Sequence, residues 1–333
     1  MSGPFKVALI GAGRMGAIHG ANAAQSGRLE LTTVIDRNPD AAARLAAELG
    51  AASGSLDGAL GDPQIAAVII ASSTDSHLEL ALAARSAGKA VFCEKPLDRD
   101  LARLQAHAAA FRAGPPLYVA FNRRFDTQFQ ALKAKIASGA IGALETANLI
   151  SLDPRPPPPG FVHTSGGLFR DFTIHDFDVA RWLFEEEPVS VFAFATWLVD
   201  PAIGAEGDVD TARTVLRFRS GRLCAVTNSR RSGYGYDQRV EAFGSAGMAM
   251  IGNPPVSTLE AWTERGGATS PIYDSFQSRY AASYRAELDH FTDVLEEGRE
   301  PVTGFDAALR ALALAEAAAL SAASGKLVRM DAP

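Results

Sequence analysis

Cysteine is scarce, with Cys93 and Cys224 the only two in 333 residues, and each lies in an apolar run ("AVFCEKP", "RLCAVT"). Such thiols exclude a disulfide framework and a Cys-rich metal site, and read as small, reduced core residues. Positive charge is also short. Lys and Arg total 32 against 38 Asp and Glu, a net charge of −6, and the cations are scattered, so the chain carries no electrostatic footprint for nucleic acid. Long hydrophobic runs are missing as well: the Ala-rich stretch near the C-terminus is punctuated by Arg310 and Glu316, short of the roughly 20 apolar residues of a membrane span. The opening "MSGPFKVALIGAG" lacks the charged-then-apolar pattern of a secretory signal. The expectation is a cytoplasmic protein with no membrane or nucleic-acid partner.

What the chain does have is apolar content, 47%, at a length that one core rarely serves, so two domains are expected. In "KVALIGAGRMGAIHGANAAQ" an apolar run ends at Gly11 and continues at helical spacing through Met15, Ile18 and Ala21, which reads as strand, tight turn and helix. Gly11, Gly13 and Gly16 fit the dinucleotide fingerprint, in which a turn, a close backbone approach to pyrophosphate and tight helix–strand packing each require glycine. A second strand, "LELTTVID", ends in Asp36, placed to accept the hydroxyls of an adenosine ribose and to repel a 2′-phosphate. NAD is therefore expected over NADP, with the neighbouring Arg37 leaving NADP open.

Strands and helices then alternate to "PLYVAFN", giving a parallel, doubly wound sheet over 1–121. Its strand ends carry Ser72, Ser73 and Glu94-Lys95-Pro96, where ligands of such sheets bind. A cation at Lys95 can favour the alkoxide form of a carbinol from which hydride departs. From 122 to 333 the texture changes to one helix ("FDTQFQALKAKIASG"), six short alternating strands and an Ala-rich helix at about 306–324 packing back on the body, an α+β domain with a large, mostly antiparallel open sheet.

The densest ionisable chemistry lies in "SGGLFRDFTIHDFD", with Asp171, His175, Asp176 and Asp178 within eight positions. A helix after the Gly166-Gly167 turn puts Asp171 and His175 one turn apart on one face; Asp178 shares that face and Asp176 does not. Alcohol oxidation needs a base near neutral pKa, the role suited to His175, with Asp171 orienting the ring or holding a substrate hydroxyl. No Cys/His set completes a zinc site, so no metal is expected.

The stretches "GAGRMGAIH", "SSTDSH", "FCEKP" and "FNRRFD" resemble the Gfo/Idh/MocA oxidoreductases over essentially the whole chain. "SGGLFRDFTIHDFD" and "NSRRSGYGYDQRVEAFGSAG" look like the inositol 2-dehydrogenase branch, whose GG-x3-D-x3-H block is matched by Gly166-Gly167, Asp171 and His175. The resemblance implies NAD-dependent oxidation of a secondary hydroxyl of myo-inositol, or a close cyclitol, to the ketone. It implies Lys95, Asp171 and His175 as the catalytic set, and Arg14, Met15, Thr74, His77 and Glu94 as further cofactor contacts. It also implies a substrate pocket using Asn122, Arg123 or Arg124, Asp153, and Tyr234 or Tyr236 with Asp237, in a homotetramer joined through the outer sheet face. Oxidation of glucose, xylose, an anhydrosugar or scyllo-inositol remains open, as does a regulator that binds NAD(P) without turnover.

Overall fold

Two runs of buried aliphatics organise the first half: Val7 to Ile10 and Ala67 to Ile70 are almost entirely inaccessible, as strands covered on both faces must be. The computed structural model describes residues 3–330. Its first sheet joins β1 (Phe5–Ile10), β2 (Leu29–Ile35), β3 (Ala52–Ser53), β4 (Ile65–Ile70), β5 (Ala90–Glu94) and β6 (Leu117–Ala120) in the order β3-β2-β1-β4-β5-β6. Every pairing is parallel. The crossovers carry α1 (Arg14–Gln25), α2 (Pro39–Leu49), α3 (Leu56–Gly61), α4 (His77–Ser86) and α5 (Leu101–Ala106). The expected helix "DLARLQAHAAAFRAG" is α-helical only over α5, its remainder tightening into a 3-10 turn at Ala108–Phe111. The strand order turns back between β1 and β4, the switch point at which doubly wound sheets bind ligands.

The chain divides into two compact units, Met1–Asn122 with Ala282–Leu312, and Arg123–Ala281 with Ala313–Pro333. The second domain expected over 122–333 is thus not continuous, since 282–312 joins the first unit. Aromatic packing explains why. Tyr284, Leu288, Phe291 and Val294 of the helix Ala281–Glu297 form one buried stripe, with the Phe291 ring 5.7 Å from Phe92 and the Tyr284 ring 5.8 Å from His19.

In the second unit, α6 (Thr127–Ala137) is N-capped by Asp126, whose carboxylate accepts from the Gln128 and Phe129 N–H groups. The strands β7 (Leu144–Leu152), β8 (Pro188–Thr196), β9 (Thr211–Phe218), β10 (Leu223–Ser229), β11 (Asp237–Gly244), β12 (Gly247–Ile251) and the late β15 (Val328–Arg329) form one sheet. The order is β12-β11-β7-β10-β9-β8-β15, antiparallel throughout except for the parallel β7–β10 pair. A separate exposed hairpin pairs β13 (Glu260–Thr263) with β14 (Gly266–Thr269).

The C-terminal helix runs Phe305–Ser324 and, by length and composition alone, is apolar enough to cross a membrane despite Arg310 and Glu316. Its Ala308, Ala311, Leu312, Leu314, Ala315 and Ala318 are buried in protein, which accounts for the apolar composition.

Candidate active site

In the first unit the fingerprint glycines have distinct steric causes. A Cβ on Gly16 would lie 1.9 Å from the Gly11 carbonyl oxygen, so helix α1 can meet the turn only through glycine. A Cβ on Gly13 meets nothing within 4 Å, which leaves that side open to a ligand. Gly13 supplies no side-chain cap to α1, so the positive dipole end of the helix begins at a bare glycine, beside the exposed Arg14 and the half-buried Met15. Asp36 is anchored on both oxygens, accepting from the Ala12 N–H at 2.7 Å and the Asn38 N–H at 2.8 Å. Each oxygen keeps lone-pair capacity for a ribose hydroxyl. These features fit a dinucleotide: the positive helix end for the pyrophosphate and a fixed carboxylate for the ribose, with Arg37 exposed next to it. Ser72, Ser73 and Thr74 follow β4, with the Ser72 and Ser76 hydroxyls 2.7 Å apart.

Two residues expected at the cofactor turn inward instead. His77 is buried, with Nδ1 2.8 Å from the Pro96 carbonyl and Nε2 3.1 Å from that of Ser72. Burial holds its pKa below the ordinary value despite both carbonyls, and its two ring nitrogens tie the ends of β4 and β5 together. Glu94 is likewise buried, 2.7 Å from His19 Nε2, and accepts from the Lys95 N–H at 3.2 Å. Burial raises its pKa, but the His19 hydrogen bond and the charges of His19 and Lys95 outweigh this and hold it below the usual range. Glu94 anchors the strand end from which the half-buried Lys95 projects.

In the second unit, Gly166 and Gly167 both adopt left-handed φ, 84° and 89°. Gly167 has a second constraint: a Cβ there would fall 2.6 Å from the Asp208 carboxylate, which accepts from the Leu168 N–H. The helix that follows does not begin as an α-helix. Phe169–Thr173 form a π-helical turn ahead of α7 at Ile174–Phe184. From Asp171 to Ala180 every residue is buried except Asp171 and His175, so these two share the one half-buried face of this stretch.

The remaining charges of that stretch are consumed internally. Asp176 accepts from Arg123 at 2.5 Å, Ser151 at 2.6 Å and Asn228 at 2.8 Å. Asp178 is buried and receives the Arg124 fork at 2.8 and 2.7 Å, so Asp178 does not share the half-buried face and two nitrogens of Arg124, expected at the substrate, are engaged by it. Asp237 is buried and bound by Arg239, Asn253 and Tyr234. The Tyr236 ring is buried and edge-on to Tyr280, and burial pushes its hydroxyl well above the ordinary pKa. In the first unit, Asn122 is buried with its Nδ2 unbonded among the described residues.

Two residues not anticipated complete the second unit's cluster. Arg230, at the exit of β10, donates to Asp171 at 3.1 Å and to Asp153 at 3.2 Å. Burial raises the Asp153 carboxyl to about 6, with the Asp171 charge adding to the rise and Arg230 opposing it. Burial similarly raises Asp208. "NSRR" and "GDVD" carry no spacing signal that links them to Asp171, since the pairing of β7 with β10 brings 153 and 230 together and the π turn packed on β10 adds 171.

Comparison with known proteins follows the same division. Residues 5–120 match the oxidoreductase family with an NAD-binding Rossmann fold, and residues 129–250 match the GFO/IDH/MocA C-terminal domain. The chain is 40% identical to an inositol 2-dehydrogenase of Rhizobium meliloti, covering 96% of this chain and 97% of that one. It is 39% identical to a myo-inositol 2-dehydrogenase of Thermotoga maritima, covering 98% and 99%. A scyllo-inositol dehydrogenase from Lactobacillus casei, solved with bound NAD(H) and scyllo-inositol, superimposes with a TM-score of 0.91 at 26% identity over 98% and 99% of the two chains.

Proposed function

Because the chain belongs to the Gfo/Idh/MocA family of oxidoreductases with an NAD-binding Rossmann fold, we propose that it oxidises one secondary hydroxyl of myo-inositol, or of a close cyclitol, to the ketone with NAD. The observation that carries this is the half-buried pair Asp171–His175 on an otherwise buried helix start, in a chain with relatives of about this length that are named inositol 2-dehydrogenase and myo-inositol 2-dehydrogenase. When bound, the nicotinamide supplies the acceptor for the hydride that leaves the carbinol carbon. His175 takes the hydroxyl proton on a ring nitrogen, and the carbon–oxygen bond becomes a ketone. Asp171 orients the imidazole and stabilises its charged form. Lys95 is given the third role, electrostatic stabilisation of the developing alkoxide. Asp36 favours NAD over NADP, and an aldose or other polyol remains the second reading because the same three groups would serve it. The protein is taken to be cytoplasmic and a homotetramer, the second reading supported by the exposed Phe194, Leu223, Phe243, Met248 and Met250 on strands of the second sheet.

His175→Ala is expected to lower turnover by about 10²-fold or more while NAD affinity stays nearly unchanged. Full turnover in that variant would refute the mechanism. A steady-state panel of cyclitols and aldoses with NAD and NADP decides the substrate: kcat/KM for an aldose well above that for myo-inositol would overturn the inositol assignment, and kcat/KM higher with NADP would overturn the role of Asp36.

A further inference from the structure

Arg230 is 4% exposed, with its guanidinium 5.3 Å over the Phe172 ring and its backbone N–H bound to the Asp210 carbonyl at 2.8 Å. One nitrogen of the fork meets Asp153 and the other meets Asp171. The backbone holds the first of these in place, since the Asp153 N–H donates to Ser229 O at 2.9 Å and its carbonyl accepts from the Ser232 N–H at 2.7 Å. A planar fork aims one nitrogen at each carboxylate in a fixed geometry, which a compact ammonium on a flexible stem does not impose. Fold stability gives no reason for the arrangement. A buried cation facing two carboxylates is expensive to desolvate, and apolar residues of similar volume are often at least as stable. The two carboxylates differ in what they face: Asp171 belongs to the half-buried face with His175, while Asp153 ends β7.

We propose that Arg230 is a positioning residue for the dehydrogenation, fixing the Asp171 carboxylate relative to His175 and presenting Asp153 as a second acceptor for substrate hydroxyls. This rests on the reading that Asp171 and His175 act on the carbinol. Without the fork, Asp171 is released from its fixed position, and small displacements of an orienting group cost about 10²-fold in rate. Asp153 then no longer presents its acceptor oxygens in a fixed spacing, so polyol binding weakens as well.

The test is a kinetic cycle on the full-length protein. Arg230→Gln is expected to lower kcat about 10²-fold and to raise KM for the polyol, with KM for NAD unchanged. Arg230→Lys recovers part of kcat but not the polyol KM, because an ammonium keeps the charge without holding the two carboxylates at the spacing set by the fork. In an Asp171→Asn background, Arg230→Gln is expected to change kcat by less than about 3-fold, since the group it positions is already gone. Losses that multiply in the double variant, or a normal kcat in Arg230→Gln, overturn the proposal. Thermal unfolding and NAD binding are measured on each variant. Should Arg230→Gln fail to fold, Arg230→Lys carries the test, and equal kcat and KM to the parent refute it. If His175→Ala keeps full turnover, the dehydrogenase reading itself fails; if His175→Ala is inactive while Arg230→Gln is not, only the role of Arg230 fails.

Discussion

Asp153 shows how a single buried carboxyl ties site chemistry to stability. Its pKa rises to about 6 from an ordinary 3.8, first because burial disfavours the charged form and then because Asp171 repels it. A folded-state pKa above the unfolded value means that the group contributes stability fully below about pH 4, and loses it as pH rises through about 6. The shift corresponds to at most about 3 kcal/mol, lowered by the fifth of the side chain that still meets solvent. Asp153→Asn removes the titration, so the variant should gain stability relative to the parent by about 2 kcal/mol between pH 4 and pH 7 in urea melts. A difference between the two proteins that is constant across this range would contradict the shift. At this scale the sequence announced residue types but not directions. Asp171, His175 and the fingerprint glycines were legible because their chemistry is local to one turn. Motif membership equally suggested His77, Glu94 and Arg124, yet their partners, Pro96, His19 and Asp178, lie 19, 75 and 54 positions away, and no local pattern encodes which way such a side chain points.

Elements with strong periodicity or capping were readable, whereas those held by distant packing were not. The strands β1, β4 and β7 to β12 declare themselves by apolar runs or alternation. The helix Ala281–Glu297 carries a stripe whose destination, the rings of β5 and β6, is set by residues some 190 positions earlier, so its place in the first unit could not be read locally. The π turn at Phe169–Thr173 likewise has no composition signal distinguishing it from an α-helical start. α6 combines both kinds of information. Asp126 caps it locally and also receives Arg279 at 2.6 and 3.1 Å, a pair buried on both sides. Asp126→Ala removes the cap and strands a buried guanidinium, and should lower unfolding free energy by about 3–5 kcal/mol. Asp126→Asn keeps the cap and should fall between that variant and the parent in denaturant titrations. Equal loss in both variants would assign the whole effect to the ion pair, and a loss under about 1 kcal/mol in Asp126→Ala would contradict the account.

The arrangement of the second sheet carries a consequence for the whole molecule. Its register sets Met248, Phe243, Thr146, Leu223 and Arg217 in one row across β12, β11, β7, β10 and β9, and Met250, Glu241, Asn148, Ala225, Val215 and Phe192 in the next. The opposite face, through Val191, Ala193, Leu216, Cys224, Val226, Ala147, Leu149 and Ala242, is buried, so these rows form the outer surface. There Met250 is 56% exposed, Phe194 68% and Leu223 42%, a mostly apolar sheet face of a kind that isolated soluble chains seldom leave uncovered. Interspersed Arg217, Arg213 and Glu241 supply polar groups for a rim or for pairing across a symmetric contact. Covering this face with a second copy would supply one interface of the proposed tetramer, since a stable interface needs more than about 1,000 Å² of buried surface and these rows run from β12 across to β8. A Leu223→Asp, Phe243→Asp double variant places two carboxylates in the middle of one row without touching the Asp171 face. It should sediment as a smaller species than the parent at equal concentration, with far-UV circular dichroism unchanged. Identical sedimentation of variant and parent, or a parent that is already monomeric, would remove this face from the assembly.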